Sequence, residues 1–294
     1  MSFDDDVGVE EALAGRPDLV ATGVDDGLLP SILSARRRTE GAPWRIAFVP
    51  GIVDELGRSF VLGTAVAECC ARDELVVRTA TGPRPDRIGF ATADRVDALA
   101  GPPGDRTLLT ETDPTRVGPS GAAIVRRFER AEPATIGMPG RAELLEAARN
   151  RLDARFADDL AAILETSECR PGVLDRSQLI DDRVLLVALA ARHDHLFVDV
   201  REWAHEVGIV AKQRFGDARR TLEGRGIVEL IKVPMDKGRP NNRLRALDET
   251  LIRAEPEEFL PALRERIRTT DPSSGSESTE TTTRGSDRPV WDRR

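Results

Sequence analysis

Hydrophobic positions along this chain come in two regimes, and the change between them divides it. Up to about residue 16 the chain is polar and acidic without a sustained apolar rhythm, so a loose start is expected. Within Asp18 to Arg38, Leu28, Leu29, Ile32 and Leu33 fall at helical spacing with Pro30 near the first turn. Trp44 to Val49 reads as a buried strand ended by Pro50-Gly51. Apolar residues at 52, 53, 56, 60, 61 and 66 predict a helix over Ile52 to Arg72, and Leu75 to Ala80 is a second strand, followed by a turn at Gly82-Pro83. Ile88 to Ala91 is a third strand, Ala93 to Leu99 a short helix, Arg106 to Thr110 a fourth strand and Val117 to Arg130 a helix. That alternation predicts an α/β domain with a largely parallel sheet.

From Met138 to Glu165 the pattern is continuously helical, with Leu144, Leu145, Ala148, Leu152, Phe156, Leu160, Ile163 and Leu164 along one side. Such a helix either closes the α/β domain or pairs two copies about a two-fold axis. Arg170-Pro171-Gly172 breaks it, which sets the expected domains at 1–170, 171–254 and 255–294. The last of these is a short helix and a tail whose final residues, 271–294, are dominated by Ser, Thr, Gly and charge and are expected to be disordered.

After the break the rhythm tightens. Val184 to Ala190 are apolar almost all round, as in the central helix of a small three-helix domain, with Asp181 and Asp182 at its start and Arg192 and His193 at its end, where each suits the helix dipole. Leu196 to Val198 form a short link, and Asp199 is placed to cap a helix whose inward residues are Val200, Trp203, Ala204 and Val207. Ala204, with Gly208 four positions on and Val207 and Ile209 beside that Gly, matches a helix-turn-helix turn, which needs a small residue and then a backbone with positive φ. The next helix carries Ala211, Phe215, Ala218 and Leu222 on one stripe, so Phe215 is its first large core residue. Its opposite face has Gln213, Gly216 and Arg220 at the centre, Lys212, Asp217 and Glu223 at the edges, and Arg219 nearer the core boundary. Ile227 to Val233 and Arg243 to Leu247 are then two strands, joined by a turn-rich tip over 234–242 that contains Lys237, Gly238 and Arg239.

Charge gives this second regime a partner. All three lysines, Lys212, Lys232 and Lys237, lie between Val210 and Arg245, where ten basic residues face four acidic ones. The whole chain is −8, so a cationic stretch of +6 sits in a remainder of −14, the segregation expected for binding a polyphosphate. Double-stranded DNA is the expected partner. Gln213 and Arg220 have the side chains that contact adenine and guanine edges, and Gly216 allows close approach to the groove wall. Lys212 and Arg219 flank them, while Lys237, Arg239 and Arg243 on the wing reach phosphate or the minor groove. A surface this rich in Asp and Glu suits a salt-rich cytoplasm, where the Debye length falls to about 3 Å near 1 M salt.

Other chemistry has little purchase. No run approaches the roughly 18 apolar residues of a membrane span, and MSFDDDVGVEE is acidic where a signal peptide is basic and then apolar, so a cytoplasmic protein is expected. Cys69, Cys70 and Cys169 have neither disulfide nor zinc spacing and read as small buried residues. His193-x-His195 is better explained by a helix C-terminus than by a metal. Pro50-Gly51 and Gly118-Pro-Ser-Gly121, the latter read as opening a helix, are the best anion-binding candidates. Neither fits a dinucleotide fingerprint or a P-loop, and Ser120 lacks a nucleophile-elbow setting. No cofactor, metal or catalysis is expected. The alternatives are an α/β domain that binds a small phosphorylated metabolite, as enzyme or sensor, and a winged helix used for protein contacts.

The order helix, helix, turn, helix, hairpin resembles winged helix-turn-helix transcription factors. Taken with the acidic, lysine-poor composition and the preceding α/β half, Phe215-Gly-Asp-Ala-Arg-Arg-Thr-Leu-Glu-Gly-Arg-Gly-Ile and Gly238-Arg-Pro-Asn-Asn make nearly the whole chain similar to the haloarchaeal TbsP family of transcriptional regulators. The resemblance implies sequence-specific regulation of transcription, of central carbon metabolism genes, with a homodimer and a small-molecule effector as further expectations.

Overall fold

In a computed structural model of the protein, which describes residues 5–82, 87–102, 106–168, 181–209, 215–234 and 240–270, the first half of the chain is a seven-stranded sheet with helices on both faces. The elements run α1 (Asp5–Leu13), β1 (Val20–Val24), a 3-10 turn (Asp26–Leu28), α2 (Leu29–Arg37), β2 (Trp44–Phe48), α3 (Ile52–Leu56), α4 (Phe60–Ala71) and β3 (Leu75–Thr79). They continue through β4 (Arg87–Ala91), β5 (Val96–Ala100), β6 (Thr107–Glu111), α5 (Pro114–Arg130) and β7 (Glu132–Pro133). The strand order is β6-β5-β4-β1-β2-β3-β7. Helical crossovers make β1, β2 and β3 parallel, with Val20 opposite Arg45 and Trp44 opposite Leu75.

Strand alternation sorts the side chains into two cores. Ala21, Ile46, Phe48, Val77 and Phe90 face α1, α2 and α4, whereas Val20, Ala47, Ala91 and Val96 face Val117, Ile124 and Phe128 of α5.

The α/β class stands, and four local expectations change. The acidic start is α1, anchored by the buried apolar residues Val9 and Leu13, too sparse to form a legible period. The segment read as one helix over 52–72 is two helices, α3 and α4, with Gly57–Ser59 between them. At Gly63 an added Cβ would collide with the Leu56 carbonyl oxygen, so the close passage of α4 past the end of α3 requires glycine there. Ala93 to Leu99, expected to be helical, contains strand β5. Ala93, Val96 and Leu99 are spaced three apart, yet Val96 and Leu99 point to opposite sheet faces, each packed into a different core. A hairpin thereby replaces a crossover, and the sheet is mixed: parallel through β1, β2 and β3, antiparallel from β1 through β4, β5 and β6 and at β7.

The expected single helix over 138–165 is also divided, into α6 (Arg141–Arg151) and α7 (Ala154–Glu168). Leu152 leaves helical geometry at φ −106, ψ −96, and the Asp153 carboxylate restarts the helix by accepting the Phe156 N–H at 2.8 Å. The apolar stripe then folds back on itself. Leu144, Ala148, Phe156, Leu160, Ile163 and Leu164 share one core with the second half of the chain, so the stripe is consumed within the subunit. Residues 170–172, where a boundary was expected, lie outside the described residues, as does the 271–294 tail.

The second half consists of α8 (Asp182–Arg192), α9 (Phe197–Glu206), α10 (Phe215–Gly224), β8 (Val228–Val233), β9 (Asn241–Ala246), α11 (Glu249–Arg253) and α12 (Pro256–Thr269). Phe259, Leu260 and Leu263 of α12 complete the core shared with α6 to α10.

Candidate nucleic-acid interface

α8 is central because its sequence is apolar on every side, and Leu186, Val187, Leu189 and Ala190 are fully enclosed. The Asp181 carboxylate caps it by accepting the Arg183 N–H at 3.0 Å. α9 starts at Phe197, earlier than the expected Asp199 cap, because Leu196 is extended and bridges Arg243 of β9 while the Leu244 N–H donates to the His195 carbonyl. A short strand contact thus pins the start of α9 to the hairpin. Gly208 ends α9 with φ +76, and the Ile209 N–H reaches back to the Ala204 carbonyl at 3.0 Å. The small residue and the left-handed glycine occupy the places that a helix-turn-helix needs.

Phe215, Ala218 and Leu222 bury one face of α10 against α8, as their spacing predicts. Gly226, at φ +64, turns the chain into β8 while the Ile227 N–H closes on the Leu222 carbonyl. β8 and β9 pair antiparallel from Val228 opposite Ala246 to Val233 opposite Asn241, and residues 235–239 between the strands lie outside the described residues.

The predicted contact residues separate by position. Arg220 has 67% of its side chain exposed on the outer face of α10, paired with Asp217 one turn away. Gly216 lies on the same face with open space where a Cβ would be. Arg219 is 23% exposed and turned sideways, its Nε 3.5 Å from Glu223 and its guanidinium 5.6 Å from the Phe197 ring centroid. Arg243 is half-buried on β9, with an Nε that has no hydrogen-bond partner among the described residues. Lys212, Gln213, Lys237 and Arg239 lie outside the described residues.

Some of the local positive charge is spent inside the protein. Arg225 donates to the Ile267 carbonyl and ties the end of α10 to α12. Arg245 lies 3.4 Å from Asp194 and 4.0 Å from Glu229. One cation that sequence reasoning misses, Arg201 of α9, rests 5.5 Å from the Phe197 centroid. The signal for it was the four-residue step from Phe197, which puts both side chains on one helical face.

The residues weighed for other chemistry have structural partners. His193 Nε2 is 3.0 Å from Asp159, and His195 Nε2 is 3.4 Å from Asp153; burial holds the His195 imidazole below its ordinary pKa. No group of three metal-ligating side chains occurs among the described residues. Burial pushes the thiols of Cys69 and Cys70 up to about 12 and about 11, which keeps both protonated and unreactive. Cys169 lies outside the described residues. α5 begins at Pro114, so Gly118 to Gly121 fall inside the helix and do not open it. Pro50-Gly51 opens only the five-residue α3, and Gly51 supplies the φ of +90 for that turn. No described helix is long and apolar enough to cross a membrane.

Two family models match in tandem: the TbsP-like transcriptional regulator N-terminal domain over residues 4–139, and the TbsP-like C-terminal helix-turn-helix domain over 140–264. The chain belongs to the TbsP-like transcriptional regulators. In this TbsP-like chain the two models meet just before α6, which agrees with the packing of α6 and α7 against the helix-turn-helix. No curated protein matches it. Among solved structures it is similar to TrmBL2, described as an archaeal chromatin protein with a novel mode of DNA binding. The identity is 14% and the TM-score 0.34, over 44% of this chain and 50% of that one, so the match spans half of the TrmBL2 chain.

Proposed function

We propose that this TbsP-like protein is a sequence-specific regulator of metabolic genes that binds double-stranded DNA through its winged helix-turn-helix. In this reading the helix around 211–223 enters the major groove, with Gln213 and Arg220 toward base edges, Gly216 against the groove wall, and Lys212 and Arg219 at the sides. Lys237, Arg239 and Arg243 on the wing, over 234–243, bind the backbone or the minor groove. The observation that carries the reading is the division of α10: Phe215, Ala218 and Leu222 are enclosed, while Gly216, Asp217 and Arg220 lie on the open side.

The chemistry proposed is binding, without catalysis, cofactor or metal. The setting proposed is the cytoplasm of a salt-adapted archaeon, for which the acidic, lysine-poor composition is the support. The α/β half is assigned regulation, by a small-molecule effector or by pairing two copies. Its attachment to the helix-turn-helix through α4 and α8 supports that assignment.

Selection of bound sequences from a random duplex pool, followed by genome-wide occupancy mapping, tests the function. A recovered motif that Arg220→Ala or Gln213→Ala alters, while Lys237→Ala or Arg239→Ala weakens all sequences alike, is the expected result. Absence of duplex binding at any salt concentration would replace it with a protein-contact role for the winged helix.

A further inference from the structure

Phe197 is the meeting point of three elements. It opens α9, it directly follows the Leu196 bridge to β9, and its ring, only 8% exposed, is covered by arginines from two different helices. Arg201 approaches from α9 with its guanidinium carbon 5.5 Å from the ring centroid, and Arg219 from α10 at 5.6 Å. Both guanidinium groups thus gather at one small ring, whose π-cloud attracts each of them. Glu223 compensates Arg219 incompletely. Its carboxylate is 3.5 Å from the Arg219 Nε, too loose for a good charge-assisted bond, and that buried Nε has no hydrogen-bond partner among the described residues.

We infer that Arg201 and Arg219, held by the Phe197 ring, form a clamp for one phosphodiester group of the duplex backbone. A guanidinium lying on an aromatic face keeps its N–H donors in its own plane, directed away from the ring toward an anion at the edge of the stack. When α10 lies in a groove, the preceding helix of a helix-turn-helix crosses the sugar-phosphate strand at the groove's edge, so the anion at this place is a phosphodiester. Phe197 is then a positioning residue, and Arg201 and Arg219 are the contacts. The inference rests on the proposed DNA-binding function and deepens it: Arg219 serves the backbone, and base reading falls to residues on the outer face of α10.

The test is the salt dependence of binding by the full chain, measured by fluorescence anisotropy on a mixed-sequence duplex of about 30 base pairs, long enough for two half-sites. Arg201→Gln and Arg219→Gln are each expected to weaken binding about tenfold at low salt. Each should also flatten the plot of log affinity against log salt by about 0.9. Phe197→Leu keeps both charges and nearly the same volume, yet it is expected to flatten the same plot, whereas a purely structural loss would lower the melting temperature and leave the slope alone. If Phe197→Leu does not fold, the pair Arg201→Gln and Arg201→Lys decides: Lys restores the slope but not the full affinity. An unchanged slope in Arg201→Gln, with wild-type binding intact, overturns the clamp alone. Failure of the wild-type chain to bind any duplex overturns the DNA-binding function as well.

Discussion

The Asp182 carboxylate accepts a hydrogen bond from the Phe60 N–H at 3.2 Å, joining the first turn of the central helix-turn-helix helix to the first turn of α4 in the α/β half. The contact works because Phe60 stands where α4 has a free amide, its Ser59 N-cap making no side-chain hydrogen bond. Burial, and then the charge of neighbouring Asp181, push the Asp182 carboxyl up from 3.8 to about 7.

That shift gives a pH prediction. The folded protein holds this proton more tightly than the unfolded chain, so the group favours the fold most at pH values below 3.8. Its contribution falls as pH rises from there toward about 7 and is level above. Asp182→Asn removes this decline and is expected to be at least as stable as the parent at about pH 8, with the difference between the two vanishing at low pH. Urea melts across the interval check it, and parallel pH profiles for parent and variant would contradict it.

Glu168, buried at the end of α7, receives Arg37 of α2 and Arg141 of α6, both at 2.7 Å. Arg141 also donates to the Val61 and Leu164 carbonyls, so one guanidinium stitches α4 to α7. Glu168→Ala leaves that cation buried without its carboxylate and is expected to cost about 3 kcal/mol of unfolding free energy. A loss below about 1 kcal/mol would mean that Arg141 swings out to water.

Gly208 has φ +76, and a Cβ added there would have nothing within 4 Å, so substitution costs backbone strain and no steric clash. Gly208→Ala is expected to lose about 1 kcal/mol, and Gly208→Asn less, because Asn visits left-handed geometry more readily. Thermal melts of the two variants order them. Equal melting temperatures for Ala and Asn would show that the turn has relaxed out of that geometry.

Gly216 makes the opposite case. It sits in the first turn of α10 with open space around it, so Gly216→Ala should stabilise the fold by up to about 1 kcal/mol through helix propensity. If α10 meets a groove wall there, the same variant binds duplex more weakly. Gains in both stability and affinity would move the contact elsewhere on the helix.

How far the chain could be read depended on whether a residue's neighbours were close in sequence. Phe215, Ala218 and Leu222 repeat with the helical period, and Gly208 follows Ala204 at fixed spacing, so the helix-turn-helix was legible in one dimension. β5 was not, because Val96 and Leu99 satisfy a helical step and a strand alternation equally well until β4 and β6 pair on either side. The single long helix failed at Leu152, an apolar residue that kept the period while its backbone left the helix. At the interface, the outward direction of Arg220 followed from periodicity and the contact of Arg201 with Phe197 from a four-residue step within α9, whereas the approach of Arg219 to the same ring joins two helices and leaves no trace in residue spacing.

Phe60 belongs by sequence to the α/β half, yet its fully enclosed ring lies among the apolar side chains of α6 to α12. A fragment beginning near Arg141 would therefore lack a side chain that its own interior is shaped around. The hole would be the size of a phenyl group, and such truncations lose about 3 kcal/mol or more. Isolated winged-helix fragments of this protein should melt well below the intact chain, and a small aromatic solute that fills the gap should raise their melting temperature.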